Sequence, residues 1–213
     1  MILKALYDYY KRCDNLPARG LEEKEIGFLL VLSPEGKFLR FEDCRTDKDH
    51  ARVYLVRKHV GRSSGKVANY LYDNSDYVLG FSDKKSVKKL EDDLQKLSNS
   101  ESDADNEKRK SKEKELIELK NKIHSDEVAK LEVFREKVKS ISELYPNNRD
   151  LLAICEFYKN SKDEILNVIS QDPLWGDIQK QLSKKYSTFS FRIEGDLKIV
   201  AEKKELLHLE ACD

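Results

Sequence analysis

The chain has 213 residues, which at ~150 residues per domain makes one domain, or one with an appendage. Lys+Arg and Asp+Glu are each 40, so the net charge is zero while 38% of residues are charged, and a hydrophobic share of 39% is enough for a core. No apolar run approaches the ~18 residues that span a bilayer, and the charge-broken start from Met1 to Tyr10 is not a secretory signal. The four cysteines (Cys13, Cys44, Cys155, Cys212) are too dispersed for a zinc motif or a disulfide framework, so the expectation is a cytoplasmic protein with reduced thiols and no membrane contact.

Taken in chain order, Leu3, Leu6, Tyr7 and Tyr10 recur at helical spacing and predict a first helix over 2–13, ended by Pro17 and Gly20. The unbroken apolar run Ile26–Leu32 predicts a strand buried on both faces. Ser33-Pro34-Glu35-Gly36 has type I turn chemistry, and Lys37–Phe41 completes a hairpin. Arg52–Val56 reads as a third strand and Tyr77–Phe81 as a short fourth. The loop between them, Gly61–Asp76, is long for a connection inside a compact domain, and such loops tend to carry function.

From Lys84 the pattern turns helical. Val87, Leu90, Leu94 and Leu97 mark a short helix, and Ser98–Asn106 is a polar break expected to be mobile. A long helix follows over Glu107–Leu144, with Leu116, Leu119, Ile123, Val128, Leu131, Phe134 (or Val133), Val138 and Ile141 on its apolar side. The step from 123 to 128 breaks the heptad, which favours a packed amphipathic helix over a coiled coil. Further helices are expected near 149–159 and 162–170, the second opened by a capping box from Ser161 to Glu164. Another starts at Asp172-Pro173 and runs toward Lys185. Thr188–Ile193, a turn at Glu194-Gly195-Asp196 and Leu197–Ala201 predict a closing hairpin, and Glu202–Glu210 the start of a helix.

Segregated strands and helices of this kind argue α+β: a small, mainly antiparallel sheet with an N-terminal helix, a helical lobe, and the closing hairpin returning to the sheet. The expected division is an α+β core of 1–83 with 186–213, and a helical lobe of 84–185 containing the mobile loop 98–106.

The zero net charge hides an asymmetry. Residues 1–90 hold 18 Lys/Arg against 13 Asp/Glu, a net of +5, and residues 91–213 carry −5. Positions 50–72 contain Arg52, Arg57, Lys58, Arg62 and Lys66 and no acid, interleaved with His50, His59, Tyr54, Tyr70 and Tyr72. A polyanion responds to local potential, so such a stretch can bind phosphates on a neutral protein. Equally, it can be a strand edge blunted by Lys and Arg.

Several chemistries are missing. Gly61-Arg-Ser-Ser-Gly65-Lys66-Val67 has three residues between its glycines where a P-loop has four. Val67 also stands where Ser or Thr would hold Mg²⁺. The histidines (His50, His59, His124, His208) show no metal-ligand spacing, and no nucleophile–base arrangement can be assembled. The expectation is a non-enzyme without cofactor or metal. What remains is the loop itself. Ser63, Ser64 and the amides beside Gly65 can donate to phosphate oxygens, and Arg62 and Lys66 supply charge. Asn69 can meet a base edge and Tyr70 can stack. The competing reading is a plain turn in which Asp73 and Asn74 cap their own backbone.

Arg62-Ser-Ser-Gly65, Asn69-Tyr-Leu71, Asp73-Asn74 and Tyr77-Val-Leu-Gly80 resemble the motif R-T-S-G-I-x-P-N-F-L-x-D-N-x-x-Y-V-L-G of the large subunit of the type I-C CRISPR surveillance complex, Cascade. Met1–Tyr10, Lys24–Leu32 with Glu35-Gly36, and Ser190–Asp196 are similar to other parts of that family in collinear order, while 84–185 carries little of its signature. Ser63 replaces Thr and keeps the hydroxyl; Lys66, Val67 and Ala68 stand where an apolar residue, Lys and Pro are usual. Members are considerably longer, so the resemblance implies an N-terminal domain, either as a piece or as a naturally short form. It also implies a non-catalytic role in antiviral defence: recognising the protospacer-adjacent motif (PAM) in double-stranded DNA and helping to open the duplex. The guide RNA then reads the target by base pairing. The implied partners are target DNA, the other Cascade subunits including the one that holds the guide's 5′ handle, the guide RNA indirectly, and a separately recruited helicase-nuclease. On this resemblance and the charge pattern together, the candidate DNA-binding residues are Arg57, Lys58, Arg62, Ser63, Ser64, Gly65, Lys66, Asn69 and Tyr70. The alternative is an assembly module that docks neighbouring subunits without reading DNA.

Overall fold

The computed structural model describes residue 4 and residues 20–47, 50–62, 65–98, 103–182 and 187–207. All but residue 4 of the expected helix over 2–13, with Ser63, Ser64, Cys212 and His208, lie outside the described residues; of the expected polar break only 99–102 do, and Ser98 and Asp103–Asn106 are helical, so the break is shorter than the sequence suggests.

The elements confirm an α+β protein. In chain order come β1 (Leu21–Glu25), β2 (Phe28–Leu32), β3 (Phe38–Asp43), β4 (Val53–Arg57) and β5 (Tyr72–Asn74). The helices α1 (Ser75–Val78), α2 (Lys85–Ser98), α3 (Asp103–Leu144), α4 (Arg149–Phe157), α5 (Lys162–Ile169) and α6 (Trp175–Gln181) follow. The described part ends with β6 (Thr188–Ile193), a 3₁₀ turn at Val200–Glu202 and α7 (Lys204–Leu207). No helix among the described residues is long and apolar enough to cross a membrane.

The main sheet has the order β3-β2-β6-β5, and β1 pairs β4 in a separate two-stranded ribbon. The apolar run of β2 is explained by its place. It lies between β3, antiparallel, and β6, parallel with Phe28 opposite Phe189, and all five of its residues are buried. One face carries Phe28, Phe41, Phe189 and Phe191. Trp175 stacks on Phe41 with ring centroids 6.1 Å apart, and Phe134 of α3 and Tyr158 lie 6.2 and 6.0 Å from Phe191. The 3₁₀ turn packs against β4 and β6. One continuous core thus runs from the strands through Phe134, Val138 and Ile141 to Ile154, Ile165 and Ile178.

Three sequence expectations are corrected. Tyr77–Phe81 is not a strand: the strand is Tyr72–Asn74, and Ser75–Val78 is a helical turn. This turn buries Tyr77 and Val78 together, which a strand would send to opposite faces. The closing element returns to the sheet as β6 alone, since the second arm of the expected hairpin becomes the 3₁₀ turn that buries Val200 and Ala201. The third is β1, unanticipated because Leu21-Glu-Glu-Lys-Glu25 has no apolar alternation; it is held by its register with β4, Leu21 opposite Arg57 through Glu25 opposite Val53.

Candidate nucleic-acid interface

The segment between β4 and β5 is a tightly tied loop. It leaves β4 at Arg57, whose guanidinium lies 4.5 Å over the Tyr70 ring and donates to the carbonyls of Leu206 and Leu207. The Lys58 amide donates to the Gly20 carbonyl (2.8 Å) and the His59 amide to Glu22 Oε1 (3.0 Å). The Val60 amide donates to Asn69 Oδ1 at 2.9 Å, so the two arms of the loop are joined by a side chain. Arg62 Nε donates to the Val67 carbonyl (2.7 Å), its Nη2 pairs with Asp73 Oδ2, and its guanidinium lies 4.0 Å over the Tyr77 ring.

Asp73 is the hub. Its carboxylate is 1% exposed and also accepts the amides of Asn69 and Asn74, each at 2.8 Å. Burial pushes its pKa above the ordinary aspartate value, opposed by Arg62 and the two amides. Between Asn69 and Asp73, buried Leu71 takes the left-handed backbone (φ 60°), which costs a non-glycine residue ~1–2 kcal/mol; its carbonyl accepts Ser190 Oγ at 2.9 Å. At the tip, Lys66 Nζ reaches Asp126 Oδ1 of α3 (3.1 Å). Asp126 in turn bonds Lys130 (2.7 Å), and Lys130 bonds Asp76 (2.9 Å). Hydrogen bonding from Lys130 holds Asp126 below the usual carboxylate range.

A second small network closes the base. Glu22 Oε2 sits 3.0 Å from His59 Nδ1, and the Tyr72 hydroxyl lies 2.8 Å from the Arg57 carbonyl and 3.1 Å from Glu22 Oε1. Burial would raise the Glu22 pKa, but the hydrogen bonds from His59 and Tyr72 outweigh it and the net shift is downward. A crevice of about 250 Å³ remains among Lys24, His59, Arg62, Asn69, Asn74 and Thr188.

Of the sequence-predicted site residues, Lys58, Gly65 and Lys66 are exposed, and Arg57 and Arg62 are partly covered. Asn69 and Tyr70 face inward, 9% and 7% exposed, so the isolated fold presents neither the Asn69 amide to a base edge nor the Tyr70 ring to a base. Burial raises the Tyr70 pKa, and its hydroxyl has no hydrogen-bond partner among the described residues. The stretch is acid-free in sequence but not in space, because the fold brings Glu22, Asp73 and Asp126 to Arg62, His59 and Lys66. Sequence reading missed Glu22, Lys24 and Asp126, which come from a strand without periodicity and a helix residue 60 positions beyond Lys66. Asp73 did carry a signal: it is the first acid after position 49. Among the described residues no group of three or more His, Cys, Asp or Glu is placed to hold a metal ion.

This arrangement is a polar loop whose described residues are tied to β1, β5 and α3, with Lys58 and Lys66 exposed. The sequence matches the family described as CRISPR-associated protein (Cas_Csd1) over residues 6–211, and the chain belongs to that family. None of the curated proteins matches it.

Proposed function

We propose that this chain is the N-terminal domain of a type I-C Cascade large subunit. In this reading it contacts PAM-proximal duplex DNA through the outer arc of the β4–β5 loop, without catalysing a reaction and working with the other Cascade subunits. The observation that carries the reading is the way the loop is tied. Asn69, Asp73 and Arg62 spend their hydrogen bonds holding it, so the exposed residues Lys58–Gly61 and Gly65–Val67 stand pre-shaped, and a pre-shaped loop loses little entropy on binding. Lys58 and Lys66 then meet phosphates, with Lys66 exchanging Asp126 for DNA, and exposed Gly61 and Gly65 leave backbone amides open to close approach. Arg62, Asn69 and Tyr70 act as positioning residues for that surface.

The test is the affinity of assembled Cascade for PAM-bearing and scrambled duplexes at two salt concentrations. Lys58→Ala with Lys66→Ala is expected to weaken both duplexes and flatten the salt dependence by about 2 in log–log slope. Unchanged affinity and slope would overturn the assignment. Three observations favour a second reading, an assembly module. Lys66 is already paired, Asn69 and Tyr70 are internal, and the −5 of residues 91–213 repels a phosphate backbone. Capture of the handle-binding subunit that survives both high salt and the loop substitutions, with duplex affinity unaltered, supports it.

A further inference from the structure

Lys84, Lys85, Lys88 and Lys89 fall within six residues at the start of α2, and all four are exposed. The first turn of that helix contains no acid. Cations therefore crowd the positive end of the helix dipole and repel one another as the i,i+4 pairs Lys84/Lys88 and Lys85/Lys89. Only Asp83, just before the helix, offsets this, accepting the Lys85 amide at 3.1 Å; the lysine repulsion itself does not help the helix form, and locally unfavourable choices of this kind are where function is to be sought.

Lys84 and Lys88 line two hollows. In the one against α3 and α5, the other lysines are committed: Lys120 to Glu91 at 2.7 Å and Lys162 to the buried Glu127 at 2.6 Å. The other, about 560 Å³, lies between this end of α2 and α6 and is lined also by Phe81, Asp83, Gln179 and Lys180, the Asp83 carboxylate lying 3.6 Å from Lys85 Nζ. There Lys84 and Lys88 make no ion pair with any described residue, and Lys180 holds only a solvent-facing contact to Asp177. Half-buried Phe81 rests against Trp175, ring centroids 5.1 Å apart, and Lys84 Nζ lies 5.1 Å above its ring.

We infer that this hollow binds single-stranded nucleic acid. A base stacks on Phe81 in the place the Lys84 ammonium now covers, phosphates lie on Lys84, Lys88 and Lys180, and the Gln179 amide meets a base edge. An aromatic platform flanked by lysines holds any base by its π-face and the backbone by charge. An acidic protein would use the lysines and have no use for the ring or the amide. The inference rests on residues outside the β4–β5 loop and does not depend on the reading of that loop.

The test is fluorescence anisotropy of the whole chain with a labelled oligothymidylate of about 15 nucleotides at two salt concentrations. Lys84→Ala with Lys88→Ala is expected to weaken binding about tenfold and to flatten the log–log salt slope by about 1.4. Phe81→Leu, which keeps the packing against Trp175, is expected to weaken it several-fold with the slope unchanged. Lys58→Ala with Lys66→Ala, which probes the loop, should weaken oligothymidylate binding less than the Lys84/Lys88 pair does. The inference is overturned by absent binding, by equal binding of the Lys84/Lys88 variant, by loss on loop substitution alone, or by displacement with polyglutamate as effective as with unlabelled oligothymidylate.

Discussion

Replacing Asp73 by Ala tests whether the loop is held by its interior contacts or only drapes over the sheet. The carboxylate accepts three hydrogen bonds, from Arg62 and from the amides of Asn69 and Asn74. Bonds to a charged group contribute ~1.5–3 kcal/mol each, and a buried amide left without an acceptor costs ~1–3 kcal/mol. The sum must be discounted, because Arg62 is a quarter exposed and keeps the Val67 carbonyl and the Tyr77 ring. We expect a loss of about 3 kcal/mol for Asp73→Ala and about 1 kcal/mol for Asp73→Asn, which retains one acceptor for the Asn69 amide. With a urea m-value of about 2–3 kcal/mol/M for a chain this size, the alanine variant moves the midpoint by about 1 M at unchanged m. Duplex affinity gives a second readout with opposite expectations. Removing a negative charge should tighten binding if bulk electrostatics governed it, whereas loosening a pre-shaped loop should weaken it. A midpoint shift below about 0.2 M, or tighter duplex binding by Asp73→Ala, would refute the tied-loop argument.

Two further outcomes follow from the core. Glu127, 3% exposed, accepts the amide and hydroxyl of Ser82 and pairs with Lys162; burial alone would raise its pKa, but these partners outweigh it and the net shift is down. A lowered folded value means the stabilisation is present above the ordinary glutamate pKa of about 4.3 and is lost as pH falls through the lower folded value. Urea midpoints should therefore drop below about pH 4, less steeply in Glu127→Gln; Lys162→Met at neutral pH should cost about 3 kcal/mol by leaving the carboxylate unpaired. Gly36 (φ 80°) faces α4 so closely that a Cβ would sit 2.5 Å from the Ala153 carbonyl, while Gly195 (φ 89°) has open space. Thermal melts should show Gly36→Ala costing at least about 3 kcal/mol and Gly195→Ala only about 1.

The sequence makes some of this legible and conceals the rest, for reasons that differ by element. The run Phe28–Leu32 and the capping box at Ser161 are local codes, and the structure repeats them: β2 is buried throughout, and Ser161 and Glu164 exchange their hydrogen bonds. The boundary at 72–81 misleads because β-rich composition in Tyr77–Phe81 is overridden by tertiary burial, which one helical turn achieves and a strand would not. In the loop, a string of five cations suggests a bare positive surface. Two of these are answered by acids, Arg62 by Asp73 of β5 and Lys66 by Asp126 of α3, and His59 meets Glu22 of β1; of these acids only Asp73 lies near enough in sequence to be read locally. Charge at a site is a property of the fold.

The inward turn of Asn69 changes what its substitution should do. A side chain that read a base would, when truncated, lower affinity for the right sequence and leave other sequences alone, so that specificity relaxes. Asn69 instead accepts the Val60 amide with its Oδ1 and donates its backbone N–H to Asp73, joining the two arms of the loop. Asn69→Ala therefore leaves the Val60 amide without its acceptor and loosens the tip that carries Lys66. Affinity of assembled Cascade should then fall by a similar factor, about three- to tenfold, on PAM-bearing and scrambled duplexes alike. A fall confined to the PAM-bearing duplex would show that the loop opens on DNA and turns Asn69 outward. In that case the contacts that tie it are a closed resting state, and the pre-shaped-loop argument fails.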